Sequence, residues 1–97
     1  ALDAGLRGRE PIEAVRALLA RLPDGDDLAS GLRFVAGAAV FTAAVGRTRR
    51  GAQPVAPDPA LGHAADTLRM LRGEPASPAE AAALDAYLVT VCDHGLN

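Results

Sequence analysis

Apolar residues recur at helical spacing in four stretches of the chain, and none alternates with the period of two that a half-buried strand would show. In the first stretch Pro11 suits the opening position of a helix, because its missing N–H would have had no intrahelical partner. Ile12, Val15, Leu19 and Leu22 then share one face, and Pro23-Asp24-Gly25 supplies a turn. Asp26 or Asp27 is placed to cap a second helix by accepting a bond from a free backbone N–H. That helix carries two apolar stripes, Leu28-Leu32-Val35-Ala39-Thr42 and Phe34-Ala38-Phe41-Val45. More than half of its circumference is expected out of water, which predicts the central helix of the fold. Gly37 and Gly46 inside it cost about 1 kcal/mol each relative to alanine, a cost tolerated where another helix comes close.

Residues 51–57, Gly-Ala-Gln-Pro-Val-Ala-Pro, sustain neither helix nor central strand and predict the main internal connection. Asp58-Pro59 reads as a cap followed by a first-turn proline, and Leu61, Ala64, Leu68 and Leu71 mark the buried face of a third helix that stops at Gly73. Ser77-Pro78-Ala79-Glu80 is a capping box, in which the serine serves the Glu80 N–H while Glu80 reaches back. Ala81, Leu84, Leu88 and Val91 line the fourth helix, expected to run to about Asp93 before Gly95 ends or distorts it. With no internal repeat, the class is all-α and multi-helical, one segment over residues 1–97.

Composition narrows the partners. Ninety-seven residues make at most one domain, and a chain of this size buries about two thirds of its unfolded surface. Hydrophobic residues form 49% of the chain but aromatics only 3%, so the core rests on Ala, Leu and Val and demands close helix packing. A net charge of −2 and a pI near 5.5 give no basic face for nucleic acid. Arg47, Arg49 and Arg50 are read as complements to the dipole at the end of the second helix. The single cysteine fits a reducing cytoplasm. The uncharged run at residues 34–46 falls short of the roughly 20 residues that span a bilayer, so it reads as a buried helix and no membrane partner is expected. No charged n-region opens the chain, so no secretory signal is expected, and the absent initiator methionine points to a processed or trimmed chain.

The candidate chemistry gathers at the end of the fourth helix, in Cys92-Asp93-His94-Gly95-Leu96-Asn97. The His94 imidazole can donate to a carboxylate or carbonyl, and Asn97, about one turn on, adds an amide donor. Spacing alone favours the bland role, His94 capping the helix end, over substrate binding. Cys92 and His94 point about 200° apart on a helix, which excludes a nucleophile–base pair and leaves Cys92 to core packing. The set Cys92, Asp93, His94 is too compact to converge on one metal ion. His63 reads as a helix-flank or interface residue, on a stripe with positions 67 and 70, and Gly5 and Gly8 follow no strand that would make them a phosphate loop.

Several segments in order resemble the citrate synthase family. Pro11-Ile12-Glu13-Ala14-Val15-Arg16 is similar to that family's Pro-Met-Asp-x-Leu-Arg helix start, and residues 34–50 to its Ala-rich helix ending in basic residues and glycine. Ala64-Ala65-Asp66-Thr67-Leu68-Arg69-Met70-Leu71-Arg72-Gly73-Glu74 resembles its segment ending Phe-Leu-x-Met-Leu-x-Gly-Glu. Leu84-Asp85 through Asp93-His94-Gly95-Leu96-Asn97 resembles its first active-site segment and is the most specific of these matches. The resemblance implies an incomplete large helical domain, its N-terminal part, from an acyltransferase that condenses acetyl-CoA with oxaloacetate to give citrate and CoA. It assigns His94 and Asn97 to oxaloacetate binding and places no catalytic residue within this chain, since the second histidine, the base aspartate and the carboxylate-holding arginines belong to later motifs. It implies no metal or cofactor beyond acetyl-CoA as substrate, a homodimer, and inactivity of this segment alone. A 2-methylcitrate synthase is not separated from a citrate synthase by these residues, and a non-catalytic dimerisation or regulatory module of the same fold is the second, competing expectation.

Overall fold

The first helix is short because only part of its predicted face finds a partner. A computed structural model describes residue 6, residues 8–93 and residue 95. Helix α1 spans Pro11–Leu19, with Pro11 at its start as expected. Ala14 and Leu18 are its buried residues, gathered with Leu6 and Val45 and flanked by Val15, Ala17 and Phe41. The face predicted through Ile12 is corrected: the buried side of α1 is that of Ala14 and Leu18, so Ile12, about 200° round the helix from Ala14, is 76% exposed, while Val15, Leu19 and Leu22 are half-buried. After Leu19 the chain tightens, the Arg21 and Leu22 N–H groups donating to the Leu18 and Leu19 carbonyls.

Helix α2 spans Leu28–Arg49. Of the two candidate caps Asp27 is the one used, its side chain accepting from the Ser30 N–H at 2.8 Å. The helix is central, as predicted, with α1 and α3 (His63–Arg72) both packed against it. Its glycines mark the two approaches. A Cβ on Gly37 would lie 3.0 Å from Leu22 Cδ1 and 3.5 Å from Leu19 Cδ2, and one on Gly46 would lie 3.0 Å from Leu71 Cδ1. The first apolar stripe is corrected. Leu28 is 77% exposed, and Leu32 and Val35 are more than half exposed, because α3 meets α2 only near its far end, at Gly46, Arg47 and Arg50, beyond this stripe. The uncharged run is thus not a fully buried helix. At 22 residues α2 is also long and apolar enough to cross a membrane by length and composition, a test that the core helix of a globular domain passes equally.

Residues 51–62 connect α2 to α3 without helix or strand. The helix start expected at Asp58-Pro59 is corrected to His63, because Asp58 turns the chain instead. Its Oδ1 accepts from the Ala60 N–H at 2.9 Å and its carbonyl from the Leu61 N–H at 3.2 Å. In α3, Ala64 and Met70 are buried and Leu68 and Leu71 half-buried, while Leu61 stands outside the helix and is exposed. Gly73 ends α3 in the left-handed conformation at φ 84°, its N–H donating to the Arg69 carbonyl at 2.7 Å.

Helix α4 spans Pro78–Val91 and packs against α3. The capping box forms as predicted: Ser77 Oγ accepts from the Glu80 N–H at 3.1 Å, and Glu80 Oε1 accepts from the Ser77 N–H at 2.9 Å. Ala81, Leu84 and Leu88 are half-buried on the expected face, but no residue of α4 is buried and Val91 is exposed. The helix stops two residues before Asp93, with Cys92 as its C-cap. The class is all-α, and among the described residues there are four helices and no strand.

A side chain at Gly73 would adopt a backbone conformation that L-residues avoid, and its Cβ would meet the Arg47 guanidinium. Gly73→Ala is expected to lower stability by about 1–2 kcal/mol, and Ser77→Ala by about 1 kcal/mol through the lost cap. Urea unfolding followed by circular dichroism checks both.

Candidate functional site

The far end of α4 carries the candidate site. The Cys92 N–H reaches back to the Val89 carbonyl at 3.5 Å and the helix ends there. Asp93 Oδ1 then accepts from the Gly95 N–H at 2.8 Å, an Asx turn, and Gly95 takes φ 81°. The structure therefore gives the residues on either side of position 94 a tight, exposed turn. His94 and Asn97, the two positions assigned to substrate, lie outside the described residues. Cys92 is exposed, which corrects the expectation of core packing: α4 has run past the last residue of α3 that could cover it.

The near end of α4 is tied to α3 by charge. Arg72, the last residue of α3, places Nη1 2.5 Å from Glu80 Oε2 and Nη2 3.9 Å from Glu74 Oε1. Arg72 Nη2 also donates to the Pro75 carbonyl at 3.5 Å. The Ser77 backbone N–H, and next the Arg72 guanidinium, bring the Glu80 carboxyl down to about 2 from an ordinary 4.5. At the start of α2, Ser30 similarly holds the Asp27 carboxyl below its ordinary value, through its side chain first and its backbone second.

Between these ends lies a polar centre that the sequence reading missed. Asp66 is only 8% exposed, and its Oδ1 accepts from Arg69 Nε and Nη2 at 2.9 and 2.7 Å while Oδ2 accepts from the Asp58 N–H at 3.1 Å. Arg69 Nη2 also donates to the Ala56 carbonyl at 2.7 Å. One ion pair on α3 thus fastens both ends of the 56–58 stretch. The signal available beforehand was the Asp-x-x-Arg spacing on a helix flank beside a loop whose carbonyls need donors.

The arginines closing α2 do related work. Arg47 Nε donates to the Gln53 carbonyl at 2.6 Å, Arg49 Nη1 to the Arg9 carbonyl at 3.3 Å, and Arg50 Nη2 to the Leu71 carbonyl. They fasten loop and neighbouring helices, beyond the dipole role expected of them. Beside them opens a cavity of about 470 Å³ lined by Leu6, Arg9, Val45, Arg49 and Gln53 among others. It takes no residue from α4, so it is separate from the terminal turn. His63, exposed at the first position of α3, borders a smaller groove of about 270 Å³ with Asp85 of α4. Among the described residues, no three His, Cys, Asp or Glu side chains are grouped to hold a metal ion.

The family model for the citrate synthase C-terminal domain matches residues 4–97. The chain belongs to the citrate synthase family. It is 33% identical over 101 residues to a citrate synthase of Deinococcus radiodurans, covering 94% of this chain and 27% of that protein. It is also 33% identical over 95 residues to a 2-methylcitrate synthase of Mycobacterium tuberculosis, covering 90% of this chain and 24% of that protein. A citrate synthase of Haloferax volcanii is 49% identical over 55 residues, 57% of this chain and 14% of that protein. The chain spans about a quarter of the length of the first two relatives.

Two outcomes follow from the charged centres. Glu80 titrates lower in the folded chain than its ordinary 4.5, so its contribution is complete above about pH 4.5 and is lost as pH falls towards 2. The stability deficit of Glu80→Gln, read by urea unfolding, is therefore expected to be constant above pH 5 and to shrink towards pH 2. Asp66→Ala removes three bonds to a buried carboxylate and is expected to cost on the order of 2 kcal/mol at neutral pH. The same measurement checks it.

Proposed function

We propose that this chain is the N-terminal part of the large helical domain of a citrate synthase-type acyltransferase, and that its last helix presents His94 and Asn97 to oxaloacetate. The observation that carries the reading is the family match over residues 4–97. The reaction joins acetyl-CoA, oxaloacetate and water into citrate and CoA. An enolised acetyl group attacks the oxaloacetate ketone, and hydrolysis of the thioester then releases CoA. The His94 imidazole hydrogen-bonds the oxaloacetate carbonyl, orienting it and stabilising negative charge as it develops on oxygen, and the Asn97 amide supports the same substrate. No residue of these 97 removes the acetyl-CoA proton in this reading, so the segment alone is inactive.

Two further assignments belong to the same reading. The exposed Leu28-Leu32-Val35 stripe supports a homodimer of the intact protein, and the free thiol of Cys92 supports a cytoplasmic location. The Mycobacterium relative, as similar as the Deinococcus one, keeps a 2-methylcitrate synthase as the second reading, in which propionyl-CoA replaces acetyl-CoA. A non-catalytic module of the same fold is the third, and it predicts no turnover at all.

The test is CoA release by the gene product that carries this segment, with oxaloacetate and either acetyl-CoA or propionyl-CoA. The expected outcome is turnover with acetyl-CoA preferred, and a loss of about 10²-fold or more in kcat/KM for oxaloacetate in His94→Ala. A preference for propionyl-CoA selects the second reading. Wild-type kinetics in His94→Ala remove the histidine from the site, and absence of turnover with either thioester overturns the enzyme assignment.

A further inference from the structure

Helix α4 has an unusual combination of properties: it carries the candidate substrate turn at one end and buries no residue along its length. Its apolar contacts with α3 come from the half-buried Ala81, Leu84 and Leu88. Side-chain packing favours certain crossing angles between helices but leaves a scatter of about 15–20° around them. The joint between α3 and α4 narrows that range.

Five residues, 73–77, separate the two helices. Gly73 stops α3, and Arg72 immediately before it turns across the loop to Glu80 at 2.5 Å and to the Pro75 carbonyl at 3.5 Å. Glu80 answers with both oxygens, Oε2 to Arg72 and Oε1 to the Ser77 N–H at 2.9 Å. A single carboxylate therefore joins the last residue of α3, the N-cap of α4 and the first turn of α4. From this joint α4 extends 14 residues, about 21 Å at 1.5 Å per residue. A tilt of about 5° at the joint displaces the far end by about 2 Å over that length, and misplacement by about 1 Å can cost a reaction on the order of 10²-fold.

From this geometry we infer that Arg72 and Glu80 form a positioning clamp, which sets the direction of α4 and so the place of the 93–95 turn at the substrate. The inference rests on the proposed function of that turn and adds two residues to it. Neither touches substrate; both act through the helix between them and the site. The conservative variant at each position separates direction from mere cohesion. Lysine at 72 keeps the charge without the planar fork, and glutamine at 80 keeps the capping box while removing the ion pair.

The experiment measures steady-state kinetics on the full gene product. Arg72→Met is expected to raise KM for oxaloacetate about 5-fold or more with a smaller change in kcat, and Arg72→Lys to recover most of the loss. Glu80→Gln is expected to raise the same KM, and the Arg72→Met/Glu80→Gln double variant to be no worse than the worse single one, because both remove one interaction. A purely structural role instead lowers the active fraction, which reduces apparent kcat and the thermal midpoint and leaves KM unchanged; that outcome overturns the clamp. Additive KM effects overturn it too. If Arg72→Met does not fold, Glu80→Gln decides alone. His94→Ala, run alongside, separates the two levels: if it lowers kcat/KM for oxaloacetate while the clamp variants leave KM unmoved, the clamp alone falls, whereas an unchanged kcat/KM in His94→Ala removes the proposed site and the clamp together.

Discussion

Close approach to the two glycines of α2 is the constraint on which the rest of the structure depends. With aromatics at 3% of the chain, few side chains are long enough to bridge helices at ordinary separation. Contact is gained where backbones come near: Leu19 and Leu22 seat on Gly37, and Leu71 seats on Gly46. These two seats lie on opposite faces of α2, one near its middle and one near its end, and leave the Leu28-Leu32-Val35 stripe at its start uncovered. The radius of gyration, 14.0 Å, exceeds the roughly 12.5 Å of a compact domain of this length. The helices are held by a few close seats and not by a continuous core.

The features that were legible in the sequence are those decided within one turn of helix. Pro11, Asp27, Gly73 and the Ser77-Glu80 box act on N–H and carbonyl groups three or four residues away, so residue type and spacing suffice to name them. The central place of α2 was legible from its double stripe, and the use of its glycines from their cost. Which stripe is covered was not, because periodicity gives the width of an apolar face and says nothing about how many partners arrive. Ile12 and Leu28 failed for that reason. Asp58-Pro59 failed differently: an aspartate there serves a turn as well as a cap, and the Asp66 carboxylate eight residues on draws the Asp58 N–H away from any helix.

The site was legible only in part, and by resemblance more than by physics. A histidine and an asparagine after an apolar helix carry no chemistry that spacing could separate from helix capping; the ordered similarity to a family did that. Asp66 and Arg69 escaped because their partners, Ala56 and Asp58, lie in a loop whose path no periodicity predicts. The expectation of a buried Cys92 failed because it assumed that α4 is covered along its whole length, whereas Val89, Val91 and Cys92 at its end are exposed.

Distance and direction are thus set by different chemistry in this chain. Glycine seats set how close helices come, since a Cβ at either position would press on a leucine at 3.0 Å. Charged groups with carbonyl and N–H partners set how elements turn: Asp66 and Arg69 for the loop, Arg47, Arg49 and Arg50 for the end of α2, Arg72 and Glu80 for α4. Exposed ion pairs add little to stability, because solvent screens them and ordering two side chains offsets much of the attraction. Stability is therefore a poor measure of what such pairs contribute. An interaction too weak to hold two helices together still selects one orientation among several of similar energy, and at the end of a helix of about 21 Å that selection is felt as displacement.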